Sequence, residues 1–253
     1  MHRIGLKLWS SNTGAYFNEA KRLYAEGVFD YLELYIVPDT LDTIAQWKTL
    51  VCPFIIHATH FAYGFRLSDP SKEAYNQAIY QQVKEFADAL ETPHIIFHGG
   101  IDGTLEETAR QLAGLNEPRA LIENKPLKAL PSMGGGICRG ASVPEIEYIM
   151  HETGCGFCLD VGHAVAAANS LGVEHYEHIA DFIRLSPVMY HLSDAEDVQM
   201  EVDSHTHLGT GELDLQKLLK MLPENSTITI ETDKDSDENL DDFVHDVKVL
   251  RSV

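Results

Sequence analysis

The 253-residue chain predicts an α/β fold, a single-domain (β/α)8 barrel spanning residues 1–253. Eight short apolar runs recur along it, helical patterns separate them, and the length matches the ~250 residues that one such barrel needs. Strict alternation of strand and helix implies parallel strands joined by right-handed crossovers, and a set of this size closes on itself instead of staying open.

In order, the strands are expected near 3–9, 31–36 (around Tyr31-Leu32-Glu33-Leu34-Tyr35), 53–57 (Phe54-Ile55-Ile56-His57), 94–98 (His94-Ile95-Ile96-Phe97-His98), 119–123 (Ala120-Leu121-Ile122-Glu123), 156–160 (Gly156-Phe157-Cys158-Leu159-Asp160), 188–192 (Val188-Met189-Tyr190-His191) and 226–231 (Thr227-Ile228-Thr229-Ile230-Glu231). Helical patterns fall at 14–27, 71–91, 104–115, 143–152, 173–184, 213–222 and 237–251. Caps or first-turn acids mark three of their starts: Thr104 ahead of Glu106 and Glu107, Ser142 ahead of Pro144 and Glu145, and Asp237-Glu238. The acidic run Asp233–Glu238 reads as the solvated, negatively charged start of the last helix.

Composition narrows the partners. A formal charge of −20 argues against generic affinity for nucleic acid or anionic membrane. The amino terminus lacks the apolar stretch of a signal peptide, and no apolar run approaches the ~20 residues of a membrane span, so a soluble, cytoplasmic protein is expected. The four cysteines do not make a disulfide scaffold, and Cys155 and Cys158 read as structural thiols in a buried strand.

The chemistry gathers at the strands' carboxy-terminal ends, which in such a barrel form the catalytic face. Nine candidate metal ligands sit there: His57, His98, Glu123, Asp160, His163, His191, Asp203, His205 and Glu231. Neighbouring parallel strands are ~4.8 Å apart, so His57 and His98 can grip one ion. Glu123 closes an apolar run, where a carboxylate is costly without a partner. Asp160 and His163 are spaced to serve two adjacent ions, whereas Asp203 and His205, two apart in an extended loop, point the same way and can chelate together. Mixed imidazole and carboxylate ligation suits Zn2+, with Mn2+ or Fe2+ possible alternatives. The long connection from Asn124 to Ser142, with Lys125, Lys128, Gly134-Gly135-Gly136 and Arg139, reads as a substrate-covering loop whose cations hold an anionic group. His60 lies near enough to the mouth to touch substrate, and Arg66 is the fallback specificity residue.

These residues resemble the endonuclease IV branch (AP endonuclease family 2) of the xylose-isomerase-like TIM barrels, by motifs spread over most of the chain. Asp160–Ala168, His191-Leu192-Ser193-Asp194 and Asp203–Gly211 carry the resemblance. It implies a first zinc site of His57, His98 and Glu123, and a second that Glu123 shares with Asp160, His191 and Glu231. His163, Asp203 and His205 would form a third. It further implies phosphoester hydrolysis, with Glu123 bridging two ions and Glu231 orienting the attacking water.

Two departures bear on DNA. Where that branch carries a Lys-Asn-x-Arg segment after its second strand, this chain has Tyr35-Ile36-Val37-Pro38-Asp39-Thr40; where a Lys-Ser element follows the His-Leu-Ser-Asp stretch, it has Ala195-Glu196-Asp197. A small phosphorylated or sugar-like substrate is therefore favoured over DNA. The alternative enzyme is a sugar (phosphate) isomerase or epimerase, which uses Glu123, Asp160, His191 and Glu231 around one divalent ion and usually lacks the Asp-x-His pair; Glu33 would then face substrate. A non-catalytic metal-binding barrel is the third reading, and it predicts metal without turnover.

Overall fold

The computed structural model describes residues 2–131 and 135–253. Each strand alternates, and the alternation decides what each face meets. Along β1 (Arg3–Trp9), Ile4, Leu6 and Leu8 pack outward under the helices, which leaves Gly5, Lys7 and Trp9 for the barrel interior. The same division runs through β2 (Tyr31–Tyr35), β3 (Phe54–His57), β4 (Ile95–His98), β5 (Ala120–Glu123), β6 (Gly156–Asp160), β7 (Met189–Leu192) and β8 (Thr227–Ile230). All neighbours pair in parallel and in sequence order, and β8 pairs back onto β1, so the barrel is closed. The register sets Tyr35 beside His57, His98 beside Glu123, and Asp160 beside His191.

Two apolar layers result. Leu34, Ile56, Phe97, Ile122, Phe157 and Ile228 meet Leu23, Val83, Phe86, Ile149, Phe182 and Phe243 of the surrounding helices. Inside the barrel, Tyr31, Ile55, Ile96, Leu121, Cys158 and Met189 form a separate floor. Burial pushes the Cys158 thiol up to about 12, and all four cysteines are free. The Tyr31 ring crosses the floor over Gly5, where a Cβ would lie 2.3 Å from its Cζ. Gly5→Ala is therefore expected to cost about 1–3 kcal/mol by overpacking, measured by urea unfolding; an unchanged midpoint would mean that the ring has room to move.

The helices are α1 (Ala15–Ala25), α2 (Ile44–Trp47), α3 (Glu73–Ala89), α4 (Leu105–Gly114), α5 (Val143–Thr153), α6 (Val161–Leu171), α7 (His175–Ile183), α8 (Leu215–Met221) and α9 (Asp241–Ser252). Thr104 caps α4 by accepting from the Glu107 amide at 3.1 Å, as its position predicts. Ser142 does not cap α5; the Glu145 carboxylate reaches back instead to the amides of Gly140 and Ala141. Two helices outside the expected set are α2 and α6. In α6, Val161–Ala168 are all buried, so the segment shows no polar face and no 3.6-residue period. The last helix starts at Asp241, not near 237, because Ser236 and Asn239 form side-chain-bonded turns before it. The acidic run is thus a loop over the barrel mouth, and Asp233, Lys234 and Asp237 line the cavity there.

The connection after β5 is pinned by antiparallel bridges Lys128↔Ile137 and Ile101↔Cys138 and by packing of Phe61, Ile101, Ala129 and Cys138. Gly134 lies outside the described residues; Gly135 and Gly136 take positive φ angles of 66° and 103°. Among the described residues no helix is long and apolar enough to cross a membrane.

Candidate metal centre

Residues of β1 to β4 and of the segments that follow β5 to β8 line one cavity of about 670 Å³ at the carboxy-terminal end of the barrel. His57, His98, Lys125, His163, Asp203, His205 and Glu231 line its floor and walls, while Asp160 and His191 lie buried just beneath. Single donor atoms come within 4.8 Å of one another in four groups: His57, His98 and Glu123; Glu123, Asp160 and His163; His163, Asp203 and His205; and Glu33, His191 and Glu231.

How the imidazoles are held shows what the groups can bind. His57 Nδ1 donates to the Ala58 carbonyl at 2.8 Å, which leaves the Nε2 lone pair facing Glu123 Oε2 at 3.0 Å. His163 Nδ1 donates to the Asn124 carbonyl at 3.0 Å and turns Nε2 toward Asp203 Oδ2 at 3.2 Å. His205 Nδ1 donates to the Glu231 carbonyl at 2.7 Å, and its Nε2 lies 2.5 Å from Asp203 Oδ2. His191 Nε2 donates to Glu33 Oε2 at 2.9 Å. Its Nδ1, buried and without a hydrogen bond, faces Glu231 Oε2 at 2.9 Å, Glu123 Oε2 at 3.4 Å and Asp160 Oδ2 at 3.7 Å. Each of these four rings therefore spends one nitrogen on an orienting acceptor and aims the other at a carboxylate oxygen, whereas His98 faces Glu123 Oε2 with Nε2 at 3.2 Å and its buried Nδ1 has no hydrogen bond. A nitrogen aimed at a carboxylate oxygen is bridged by a proton or by a metal ion, and an outer acceptor holding the other nitrogen is the usual setting of a histidine ligand. The donor set fits divalent metal.

The electrostatics agree. Burial alone would raise the carboxyls of Glu123, Asp203 and Glu231, but adjacent imidazoles and lysines hold all of them well below the usual range. Burial holds the His98 imidazole well below its usual range. Burial also opposes charge on His163 and His205, yet their carboxylates outweigh it and push them up to about 9 and about 10. An ion binding there displaces those protons.

Local backbone places these groups. Asn124 is bonded to Asp160 in both directions, its Nδ2 to the Asp160 carbonyl at 2.8 Å and its Oδ1 from the Asp160 amide at 2.7 Å, which locks the β5 and β6 ends together. Asp160 also accepts from the His163 amide at 2.7 Å, so the same carboxylate caps α6 and fixes the imidazole's approach. At Gly162 a Cβ would lie 2.9 Å from Asp203 Oδ1, so only glycine leaves room for that carboxylate. His205 itself takes a φ of 44°, a left-handed geometry rare for non-glycine residues. Asp194 holds the following turn by accepting from the amides of Ala195, Gly209, Gly211 and Leu213.

Several side chains take positions that the sequence does not suggest. Lys7 lies inside the barrel with Nζ 2.5 Å from Glu231 Oε2 and 3.3 Å from Glu33 Oε1. Glu33 does not face substrate: it is 0% exposed, and beside Lys7 and His191 it accepts from Thr229 Oγ1 at 2.7 Å. Lys125 is buried within the ligand cluster, its Nζ 3.0 Å from His163 Nε2 and 3.3 Å from Glu123 Oε1, and so is no remote anion contact. Lys128 lines the cavity and pairs with Glu201. Arg139 stays outside: its guanidinium donates to the carbonyls of Asp102 and Gly103, tethering the loop. Arg66 is also absent from the cavity lining; its backbone is bonded to Asn76. His60 is at the wall, its ring stacked 5.5 Å from that of His98 and its Nδ1 accepting from the Ala62 amide. Trp9, Tyr35 and Tyr63 complete an aromatic wall missing from the sequence reading.

Comparison with known proteins agrees with this architecture. A probable endonuclease 4 from Mycobacterium marinum is 27% identical over 192 residues, 72% of this chain and 73% of that protein. A structure described as a putative xylose isomerase from Rhodospirillum rubrum superposes with a TM-score of 0.77 at 14% identity, covering 100% of this chain and 99% of that one. Endonuclease IV from Thermus thermophilus gives 0.69 at 21% identity over 99% and 98% of the two chains. The family profile described as xylose isomerase-like TIM barrel matches residues 25–253, and the chain belongs to that family.

Proposed function

We propose that the protein is a metal-dependent phosphoester hydrolase acting on a small phosphorylated, sugar-like molecule. The observation that carries this reading is the meeting of His163, Asp203 and His205 beside His57, His98 and Glu123, because one-ion sugar chemistry has no use for the additional donors. Zinc is the ion favoured by the donors, at up to three positions, with manganese or iron as alternatives. Held by His57, His98 and Glu123 and by His163, Asp203 and His205, divalent ions would neutralise a phosphate, polarise its oxygens and lower the pKa of a bound water. The chain's own part is to orient and exclude. Glu123 is shared by two ligand groups, Glu231 faces the cavity where an attacking water would be held, and Lys128 with Lys234 brings positive charge to the rim.

The aldose–ketose or epimerase reading draws support from the superposition on the Rhodospirillum structure. Its distinctive expectation, a substrate-facing Glu33, has lost its footing, since that carboxylate is buried under Lys7 and His191. Zinc-loaded protein assayed against sugar phosphates and phosphodiesters, with phosphate release and ketose formation followed in parallel, separates the two. Isomerisation without hydrolysis would overturn the proposal.

DNA is disfavoured as substrate. The turn at 36–40 carries no base and folds down on the protein, with the Asp39 amide donating to Gln82 and Thr40 Oγ1 2.6 Å from Ser10 Oγ. Binding to a duplex with one abasic site is expected to be weak and to fall steeply with salt, because few phosphates can be neutralised. Efficient incision at physiological salt would contradict that.

A further inference from the structure

We infer that the Lys7 ammonium group takes the place of the middle cation, so that this chain holds two divalent ions where its donor set would otherwise hold three. The inference rests on the metal-dependent reading above but not on the reaction assigned to it.

The middle position lies among Glu123, Asp160, His191 and Glu231, and one of its oxygens is already engaged by a cation. His191 Nδ1 lies 2.9 Å from Glu231 Oε2, 3.4 Å from Glu123 Oε2 and 3.7 Å from Asp160 Oδ2. Glu231 Oε2, the oxygen that His191 faces, is also the oxygen that Lys7 Nζ approaches at 2.5 Å. That ammonium borders the cavity but is held on both sides. Lys7 sits mid-strand in β1 and points into a barrel whose floor is packed, and Glu33 holds its other side at 3.3 Å. Glu33 is fixed in turn: Tyr31 Oη lies 2.8 Å from Thr229 Oγ1, and Thr229 donates to Glu33 at 2.7 Å. A buried ammonium pinned on two carboxylates is a resident cation, and a divalent ion arriving at Glu231 Oε2 would have to displace it against like charge.

Charge balance points the same way. The cluster holds five carboxylates, Glu33, Glu123, Asp160, Asp203 and Glu231, against the ammonium groups of Lys7 and Lys125. With neutral imidazoles that leaves three negative charges, which two divalent ions convert to one positive charge and three ions to three. The smaller excess is the cheaper to bury and still attracts an anionic substrate. The outer groups, His57 with His98 and Glu123, and His163 with Asp203 and His205, keep their donors in either case.

The test is a metal count on purified full-length protein, stripped by chelator, reloaded with zinc and desalted. The native chain is expected to retain about two equivalents, and Lys7→Met, which keeps the stem and removes the charge, about three. Lys7→Met leaves Glu33 Oε1 without a partner, so Lys7→Met combined with Glu33→Gln is measured beside it and should also gain an ion. The melting temperature of both variants should rise with added zinc by more than that of the native chain, because the extra ion binds only the folded state. Three equivalents on the native protein, fewer than two, or no gain in either variant would overturn the inference. Two ions on a native protein that hydrolyses nothing would sink the hydrolase and leave Lys7 in its assigned place.

Discussion

His205→Ala is expected to remove about one equivalent of bound metal and to abolish phosphoesterase activity while the barrel stays folded. The imidazole is partly exposed, and its carbonyl-bonded Nδ1 with Nε2 against Asp203 marks it as an orienting and ligating group. Alanine also relieves little of the strain at φ 44°, so a fold change is not expected from the backbone. Elemental analysis beside a circular-dichroism melt reads both halves. Unchanged metal content would remove the His163–Asp203–His205 group from the site, and with it the main ground for hydrolysis over isomerisation.

Asp194→Ala should be the most damaging change outside the ligand set. Its carboxylate satisfies the amides of Ala195, Gly209, Gly211 and Leu213 at 2.9–3.1 Å in a position only 1% exposed. Leaving the buried amides of Ala195 and Leu213 unpaired costs about 1–3 kcal/mol each, so a loss of at least about 2 kcal/mol in urea unfolding is expected. The freed turn follows directly on Asp203 and His205, so the variant should also bind zinc more weakly. Asp194→Asn, which keeps one acceptor oxygen, should fall between. A variant as stable as the native chain would show that water replaces the carboxylate.

The eight strands, and the grouping of His57, His98 and Glu123, are legible in the sequence because each histidine or glutamate closes an apolar run and successive runs become neighbours. Legibility stops where the rule does. Lys7 and Glu33 lie inside strands, not at their ends, and are opposite each other in the β1–β2 register. Their signal was present in the alternation itself: once Ile4, Leu6 and Leu8 face the helices, Lys7 must face the interior. Helix α6 was hidden for the opposite reason, since burial on every side erases periodicity. Arg139 and Arg66 show that charge in a mouth loop does not tell which way a side chain turns; Arg139 gives its donors to loop carbonyls, which in a tight connection would otherwise lack partners.

The seam between β1 and β8 joins the first strand to the last, and Lys7, Thr229 and Glu231 lie along it, with Glu33 on the next strand. During folding, Lys7 and Glu33 can meet early, as parts of adjacent strands, whereas their partners on β8 and just beyond are synthesised more than two hundred residues after Lys7. Until that last strand docks, β1 is an unfinished edge that carries the Lys7 ammonium, and a charge on an open edge discourages the half-built sheet from pairing with another copy of itself. The charges that set the chemistry of the finished site would thereby guard the nascent chain against aggregation.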